Sequence, residues 1–434
     1  MKLALLTLAA AATLFGQPPD SANDTADETP AQSQTDLNVN SRYTIESISF
    51  TDQRHYRLST SAIQEMQRLI GSKLSTDAVM RLAGRIRNEL RAHDVTFKLA
   101  RGGAPEHVKV LLAVEKGGDN VDVSIPRFAY NSNQGWTAVG EATATIGANA
   151  ITVGALTDGD TLAERFSGVK LKYNRLSLGS DRVRLGFEFD AYHEQYDHST
   201  LAALDSGANS SLGAGAYRSR FNFEPSATFV LAKPLTLTVG LSFEKLEPQL
   251  SAARSDSANA VINSLRYHRR WEASDATNQE LDAGYSLRAA TKMLGTDLAY
   301  TRHAVNVRYD YRHDHQSVEV ALVAGMIFGQ APLFERFVLG NSSTLRGWNK
   351  YDIDPLGGNR AVHGSVTYGY HIMRVFYDAG AVWDHGTSPQ PRHSAGIGIS
   401  SGLGLFQKGA FLLAVAFPIR QGHAEPVFIA GMNF

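Results

Sequence analysis

From Thr137 onward, segment after segment of the sequence alternates apolar and polar residues with a period of two, the repeat of a strand with one face buried. In residues 182–192, Val183, Leu185, Phe187, Phe189 and Ala191 point one way, and Arg182, Arg184, Glu188 and Asp190 the other. Residues 235–244 set Leu235, Leu237, Val239, Leu241 and Phe243 against Thr236, Thr238, Ser242 and Glu244. Residues 221–229 repeat the pattern, as do residues 305–312, where Val305, Val307, Tyr309 and Tyr311 oppose Asn306, Arg308, Asp310 and Arg312. No convincing helix is read between Thr137 and the C-terminus.

A soluble β-sandwich alternates in the same way, so length and ends decide between sandwich and membrane barrel. The alternating runs reach roughly nine to eleven residues, the length of a tilted membrane strand, against about five or six for a soluble one. Short turns such as Gly179-Ser180-Asp181 and Lys233-Pro234 alternate with long polar connections such as 245–264, the asymmetry of an outer-membrane barrel. About 310 residues arranged in this way suit roughly 14 to 18 strands, with 16 in the middle of that range. The terminal run 427–434 places Phe428, Ala430, Met432 and Phe434 on one face. An aromatic last residue resembles the C-terminal assembly signal of outer-membrane proteins, although Gly431 is not where that signal usually keeps its glycine. The expected fold is therefore mainly β, a transmembrane antiparallel barrel of about 16 strands over residues 119–434.

No stretch of about 18 apolar residues follows the N-terminal segment, so helical membrane spans are excluded. The charges nearly cancel, 42 Lys plus Arg against 43 Asp plus Glu, which argues against nucleic acid as a partner. The absence of cysteine removes disulfides, thiolate chemistry, Cys-based zinc sites and a lipidated cysteine. Met1-Lys2 followed by the apolar run 3–15 reads as a cleaved secretory signal, assigned to residues 1–22. The polar, proline-containing stretch that follows, 23–41, reads as a flexible linker.

Residues 43–50 read as a strand, 59–70 as a helix carrying Ile63, Met66 and Leu69 and stopped by Gly71, and the stretch from Ser75 as a second helix with Val79, Leu82, Ile86 and Leu90 on one face. Strands at 95–99 and 108–114 follow, joined by Gly102-Gly103-Ala104-Pro105. The order strand, helix, helix, strand, strand over residues 42–118 resembles a POTRA domain, the polypeptide-transport-associated module, most specifically in the glycine, serine cap and amphipathic helix of 71–90. A generic α+β module shares that order.

Two motifs near the C-terminus narrow the family. The first is Phe337-Val338-Leu339-Gly340 through Leu345-Arg346-Gly347-Trp348, then Pro355, Gly357, Gly358, Asn359 and Arg360; the second is Phe376-Tyr377-Asp378-Ala379-Gly380-Ala381-Val382-Trp383. In this order and spacing they resemble the loop and strand motifs of the BamA-like outer-membrane assembly superfamily, also called bacterial surface antigens. In 375–383 the apolar residues Val375, Tyr377, Ala379, Ala381 and Trp383 form an outer face, which sends Phe376, Asp378 and Gly380 to the lumen. A carboxylate there wants a cation, and the planar fork of Arg346 beside the flexible Gly347 suits a bidentate grip. Gly380 would leave room for the loop. The resemblance implies that the loop carrying Leu345, Arg346, Gly347 and Trp348 folds inward; the competing reading leaves Arg346 solvated and Asp378 an ordinary wet lumen residue.

Three further signals are set aside. Gly398-Ile399-Ser400-Ser401-Gly402 matches a nucleophile-elbow pattern but lies in an alternating strand and lacks the strand-to-helix turn that chemistry needs. His313 and His315 around Asp314 are explained by a polar hairpin end, and Asn341-Ser342-Ser343 by a glycosylation pattern without meaning here. The expectation is a non-enzymatic protein without cofactor or metal, its barrel in outer-membrane lipid and its POTRA domain in the periplasm. By resemblance it assists insertion or export of proteins, binding unfolded or exported polypeptide by strand addition and working with accessory periplasmic proteins. The alternative is a passive channel or surface-antigen barrel that moves no protein. A single POTRA departs from dedicated assembly factors, which have several, and from two-partner transporters, which usually have two.

Overall fold

The computed structural model describes residues 42–432, apart from residues 52–55, 57, 91, 117–119, 179–181, 207–215, 250–253, 275–276, 403–409, 421 and 423–424. The segments assigned to signal and linker, the turn at 179–181 and the terminal Phe434 lie outside the described residues. The chain divides into two compact units, with the long second one taking up the chain from Glu115.

The first unit contains β1 (Thr44–Phe50), α1 (Thr60–Leu69), α2 (Thr76–Leu90), β2 (Ala92–Arg101) and β3 (His107–Lys116). The sheet order is β1-β3-β2, with β1 parallel to β3. Ser59 caps α1, its hydroxyl accepting from the Ala62 amide, and Gly71 leaves the following turn at φ 84°. In α2 the helical spacing puts Val79, Leu82 and Ile86 on one stripe, all buried with Ile45, Leu74, Val110 and Leu112. Leu90, at the end of that stripe, is half-buried.

The second unit is a closed antiparallel barrel of sixteen long strands. In chain order these are β4 (Asn120–Asn131), β5 (Gly135–Ile146), β6 (Asn149–Asp158), β7 (Arg165–Arg175), β8 (Val183–Gln195), β9 (Tyr217–Ala232) and β10 (Leu235–Pro248). A two-residue β11 (Asp256–Ser257) pairs with the end of β10, and the wall continues through β12 (Ala260–Ser274), β13 (Thr277–Ala290), β14 (Tyr300–His313) and β15 (Gln316–Gly329). It ends with β16 (Arg360–Tyr370), β17 (Met373–Trp383), β18 (Arg392–Gly402), β19 (Ala410–Ile419) and β20 (Val427–Met432), which pairs back onto β4. The alternation has its physical cause here. Leu185, Phe187, Phe189, Val305 and their counterparts stand exposed on the outer wall, where hydrocarbon makes apolar surface favourable, while polar neighbours face inward. No helix among the described residues is long and apolar enough to cross a membrane.

Three sequence expectations need correction. The strands of the middle of the wall, β8 to β10 and β12 to β15, are longer than foreseen, β9 reaching 16 residues, while β6, β7 and β16 to β19 keep to ten or eleven; the connection placed at 245–264 shrinks to 249–259. The ladder outlasts the hydrophobic alternation because backbone N–H and C=O groups pair whatever the side chains are, as Lys245 with Ser257 and Leu246 with Asp256 show. A helix, α3 (His198–Asp205), lies in a loop where none was read; Asp197 caps it, and with no apolar stripe it leaves no 3.6-residue signal. Finally, Met432 is buried whereas Phe428 is exposed, although the ladder runs unbroken through Gly431 to Met432; period two fixes the side of a strand, not how far its neighbours cover it.

Neighbouring positions on β12 test the orientation of the wall. Leu265 faces outward and Ser264 inward, so Leu265→Arg should lower unfolding free energy in lipid vesicles by about 2–4 kcal/mol and Ser264→Arg by less than about 1 kcal/mol. Equal costs would contradict the assigned faces.

Candidate functional site

The connection between β15 and β16, residues 330–359, returns into the barrel. It is organised from within. The Asn341 side-chain oxygen accepts from the amides of Ser343 (3.0 Å) and Thr344 (2.7 Å) and from both their hydroxyls, so residues 341–344 form a tight turn. Leu345 follows at φ 45°, fully buried, in one cluster with Phe337, Leu339 and Trp348 that packs on Tyr217, Tyr300, Ile327, Ala361 and Val382 of the wall. A helical turn, α4 (Lys350–Ile353), starts the return to β16.

Arg346 and Asp378 meet inside this cluster's edge. Arg346 Nε donates to Asp378 Oδ2 at 2.9 Å and Nη2 to Oδ1 at 2.7 Å, a bidentate grip. The Arg346 backbone amide donates to the same Oδ2 at 3.1 Å, and Ser365 Oγ donates to Oδ1 at 2.7 Å. Asp378 is fully buried, and its charge is met by a cation and by five hydrogen bonds, the longest from Ser394 Oγ at 3.5 Å. The guanidinium also lies 3.6 Å from the ring centroid of Phe376 and donates to Ser365 and Thr367 on β16. Trp348 Nε1 donates to the His393 carbonyl at 2.7 Å, tying the loop to β18.

Two glycines make this approach possible. A Cβ on Gly347 would lie 2.6 Å from the Phe417 carbonyl carbon and 2.7 Å from Pro418 N, so any side chain there would push the loop off β19. A Cβ on Gly396 would meet the Phe376 ring at 2.3 Å; the ring under Arg346 occupies space that glycine leaves open. Gly380 sits on β17, where an added Cβ would lie 3.1 Å from Leu339 Cδ1 of the loop. Of the terminal-strand residues singled out in the sequence, Phe428 faces outward and Met432 is buried.

Other anchors carry no sequence motif. Glu335 accepts from Arg288 Nε at 2.9 Å, with Arg302 at 3.4 Å; burial alone would raise its pKa, but the two guanidiniums hold it below the usual carboxylate range. Arg336, buried, donates to both carboxylate oxygens of Asp384 (2.7 and 2.8 Å) and to the carbonyls of Leu356 and Gly357. Asp160, from the connection between β6 and β7, accepts from the Ser342 amide at 3.0 Å. The one available signal was the charged pair Glu335-Arg336 between Phe334 and Phe337, since charges inside an apolar stretch are paired when buried. His313, Asp314 and His315 lie at the β14–β15 hairpin end, where the His315 ring stacks on His371 at 4.2 Å.

The sixteen-strand barrel has counterparts among known proteins. Residues 147–423, more than half of the chain, match the Omp85 superfamily domain. The chain belongs to the Omp85 superfamily. Among solved structures, BamA from Haemophilus ducreyi lacking POTRA domains 1–3 superposes with a TM-score of 0.60 at 16% identity, covering 90% of this chain and 84% of that one. CdiB from Escherichia coli gives 0.52 at 12% identity, covering 93% and 92%, and CdiB from Acinetobacter baumannii 0.50 at 12%, covering 99% and 96%. At these identities the likeness is one of fold. No curated protein matches the sequence. Membership in the Omp85 superfamily makes this an outer-membrane barrel related to assembly and transport proteins.

In this Omp85 barrel, Arg346→Ala and Asp378→Ala should each cost about 3–5 kcal/mol of unfolding free energy, because each leaves a buried charge without its partner. The double variant should cost no more than the larger single change. Urea unfolding read by heat-modifiable gel mobility measures this; additive losses would exclude a direct pair.

Proposed function

We propose that this protein assists the insertion of proteins into, or their export across, the outer membrane, with the α+β unit acting as a single periplasmic POTRA domain and no catalytic chemistry of its own. The observation that carries this reading is the inward loop. Phe337, Leu339, Leu345 and Trp348 fill the barrel interior as an apolar cluster braced by Arg346 and Asp378. A barrel for passive solute flow has a wet, polar lumen, and an apolar obstruction in the lumen works against it. The same obstruction suits a barrel that must stay sealed until a client engages it.

The seam supports the reading as well. β20 pairs with β4 through four register pairs among the described residues, Ile429 with Asn131 to Met432 with Phe128, whereas β14 and β15 pair along fourteen. A wall that can part has its weakest ladder there. The order β1-β3-β2 leaves two strand edges in the α+β unit, and an unfolded or exported polypeptide can add to such an edge through backbone hydrogen bonds without a fixed sequence. Accessory periplasmic proteins would dock on the same unit, and outer-membrane lipid would cover the apolar wall.

Depletion of the protein in cells should lower the level of at least one outer-membrane or secreted protein, and the purified barrel in planar bilayers should show rare, brief openings. Unchanged protein levels together with steady conductance of small solutes would favour the passive channel and overturn the assembly reading.

A further inference from the structure

The inward loop is gripped from both sides of the β4–β20 seam. On one side stand β16 to β19: Arg346 bonds Asp378, Ser365 and Thr367, Trp348 bonds the His393 carbonyl, and Gly347 abuts Phe417 and Pro418. On the other side stands the start of the barrel. Asp160 accepts from the Ser342 amide at 3.0 Å and from the Ser342 hydroxyl. The same carboxylate accepts from Arg127 Nη2 of β4 at 2.6 Å, while Arg127 Nη1 donates to Asp158 at 3.1 Å. Gln134, in the β4–β5 turn, donates from Nε2 to the Gly340 carbonyl at 2.7 Å. Asp160 and Ser342 are both buried, so these bonds are shielded from water. Nearby, Lys350 is buried too; burial pushes its pKa down to about 8 against the pull of Asp160 and Glu164.

We propose that residues 340–348 form a strap across the β4–β20 seam, with Asp160 as its anchor on the β4 side and Asp378 as its anchor on the β17 side.

Chain length makes the strap short. Ser342 and Arg346 are four residues apart, and four residues reach at most about 14 Å when fully extended. The turn built on Asn341 uses part of that reach: the Gly340 and Asn341 amides both donate to the Thr344 carbonyl. The two walls therefore cannot part by much without breaking one anchor. The seam is weak enough for this to matter. Besides its four register pairs, the described ladder adds the Ser132 amide to the Phe428 carbonyl (2.9 Å) and the Phe428 amide to Ser132 Oγ (3.1 Å). On its other side β20 has five pairs with β19. Arg127 makes the coupling direct, because the residue that holds Asp160 is itself part of the seam strand. This inference goes beyond the proposed function and does not depend on which client, if any, the barrel serves.

Hydrogen–deuterium exchange of the full chain in lipid nanodiscs tests it. Asp160→Asn should raise exchange at residues 128–131 and 427–432 at least tenfold, and Asp378→Asn should do the same from the opposite anchor without further increase in the double variant. Arg266→Gln, which breaks an ion pair on β12 far along the wall, should leave the seam at the wild-type rate. Should Asp160→Asn fail to assemble, Ser342→Ala and Gln134→Ala remove one bond each without removing a charge and should give smaller increases at the same peptides. Because the chain has no cysteine, a disulfide between Tyr130→Cys and Ala430→Cys, which are register partners, should restore seam protection in the released variants. Seam exchange that stays at the wild-type rate in all these variants, whether or not residues 340–348 lose protection, overturns the strap.

Discussion

Asp378 sits on the inner face of a strand whose outer face, Val375 and Tyr377, meets hydrocarbon, and the barrel wall leaves it no exposed surface. A carboxylate in that position is costly unless a cation and further donors satisfy it, and the wall itself supplies only the hydroxyls of Ser365 and Ser394. The cation comes from the loop. By meeting Asp378 with its side chain and its own amide, Arg346 commits residues 330–359 to the interior, and the rest of the lumen is arranged around that commitment. A buried ion pair of this kind adds little net stability over an apolar pair, but one arrangement satisfies it and most others leave a charge unpaired. It selects a position for the loop more than it strengthens the barrel.

The wall is shaped to receive the loop. Gly347 and Gly396 remove side chains where backbone and ring must touch, and Gly325 on β15 leaves room for Phe337. The charged anchors are spread around the lumen: Glu335 on Arg288 and Arg302, Arg336 on Asp384, Ser342 on Asp160. Each couples a loop residue to a different part of the wall, so loop and barrel define one another's geometry. The seam, with its short ladder, is then the part of the wall that depends most on what the loop holds together.

Much of this architecture was legible because two physical rules act locally. Period-two alternation reports a strand with hydrocarbon on one side, and it located the wall from sequence alone; the stripe Val79, Leu82, Ile86 did the same for a helix of the α+β unit. Arg346 and Asp378 came within reach because a lone carboxylate on an inward face and an arginine beside a glycine have complementary needs. Asp160, Glu335 and Arg336 did not, since no motif and no periodicity marks them or their partners. The helix at His198–Asp205 escaped for a related reason: its start rests on the Asp197 cap and not on an apolar stripe. At Met432 the alternation told the side of the strand but not its burial.

The central claim is that the Asp378 carboxylate holds the loop inside the barrel. Pulsed electron–electron resonance measures it directly in a chain free of native cysteine, with spin labels at Ser343→Cys on the loop and Ile372→Cys at the hairpin end of β17. In membranes the wild-type background should give one narrow distance distribution, and Asp378→Asn should broaden it. The same narrow distribution with and without the carboxylate would contradict the account.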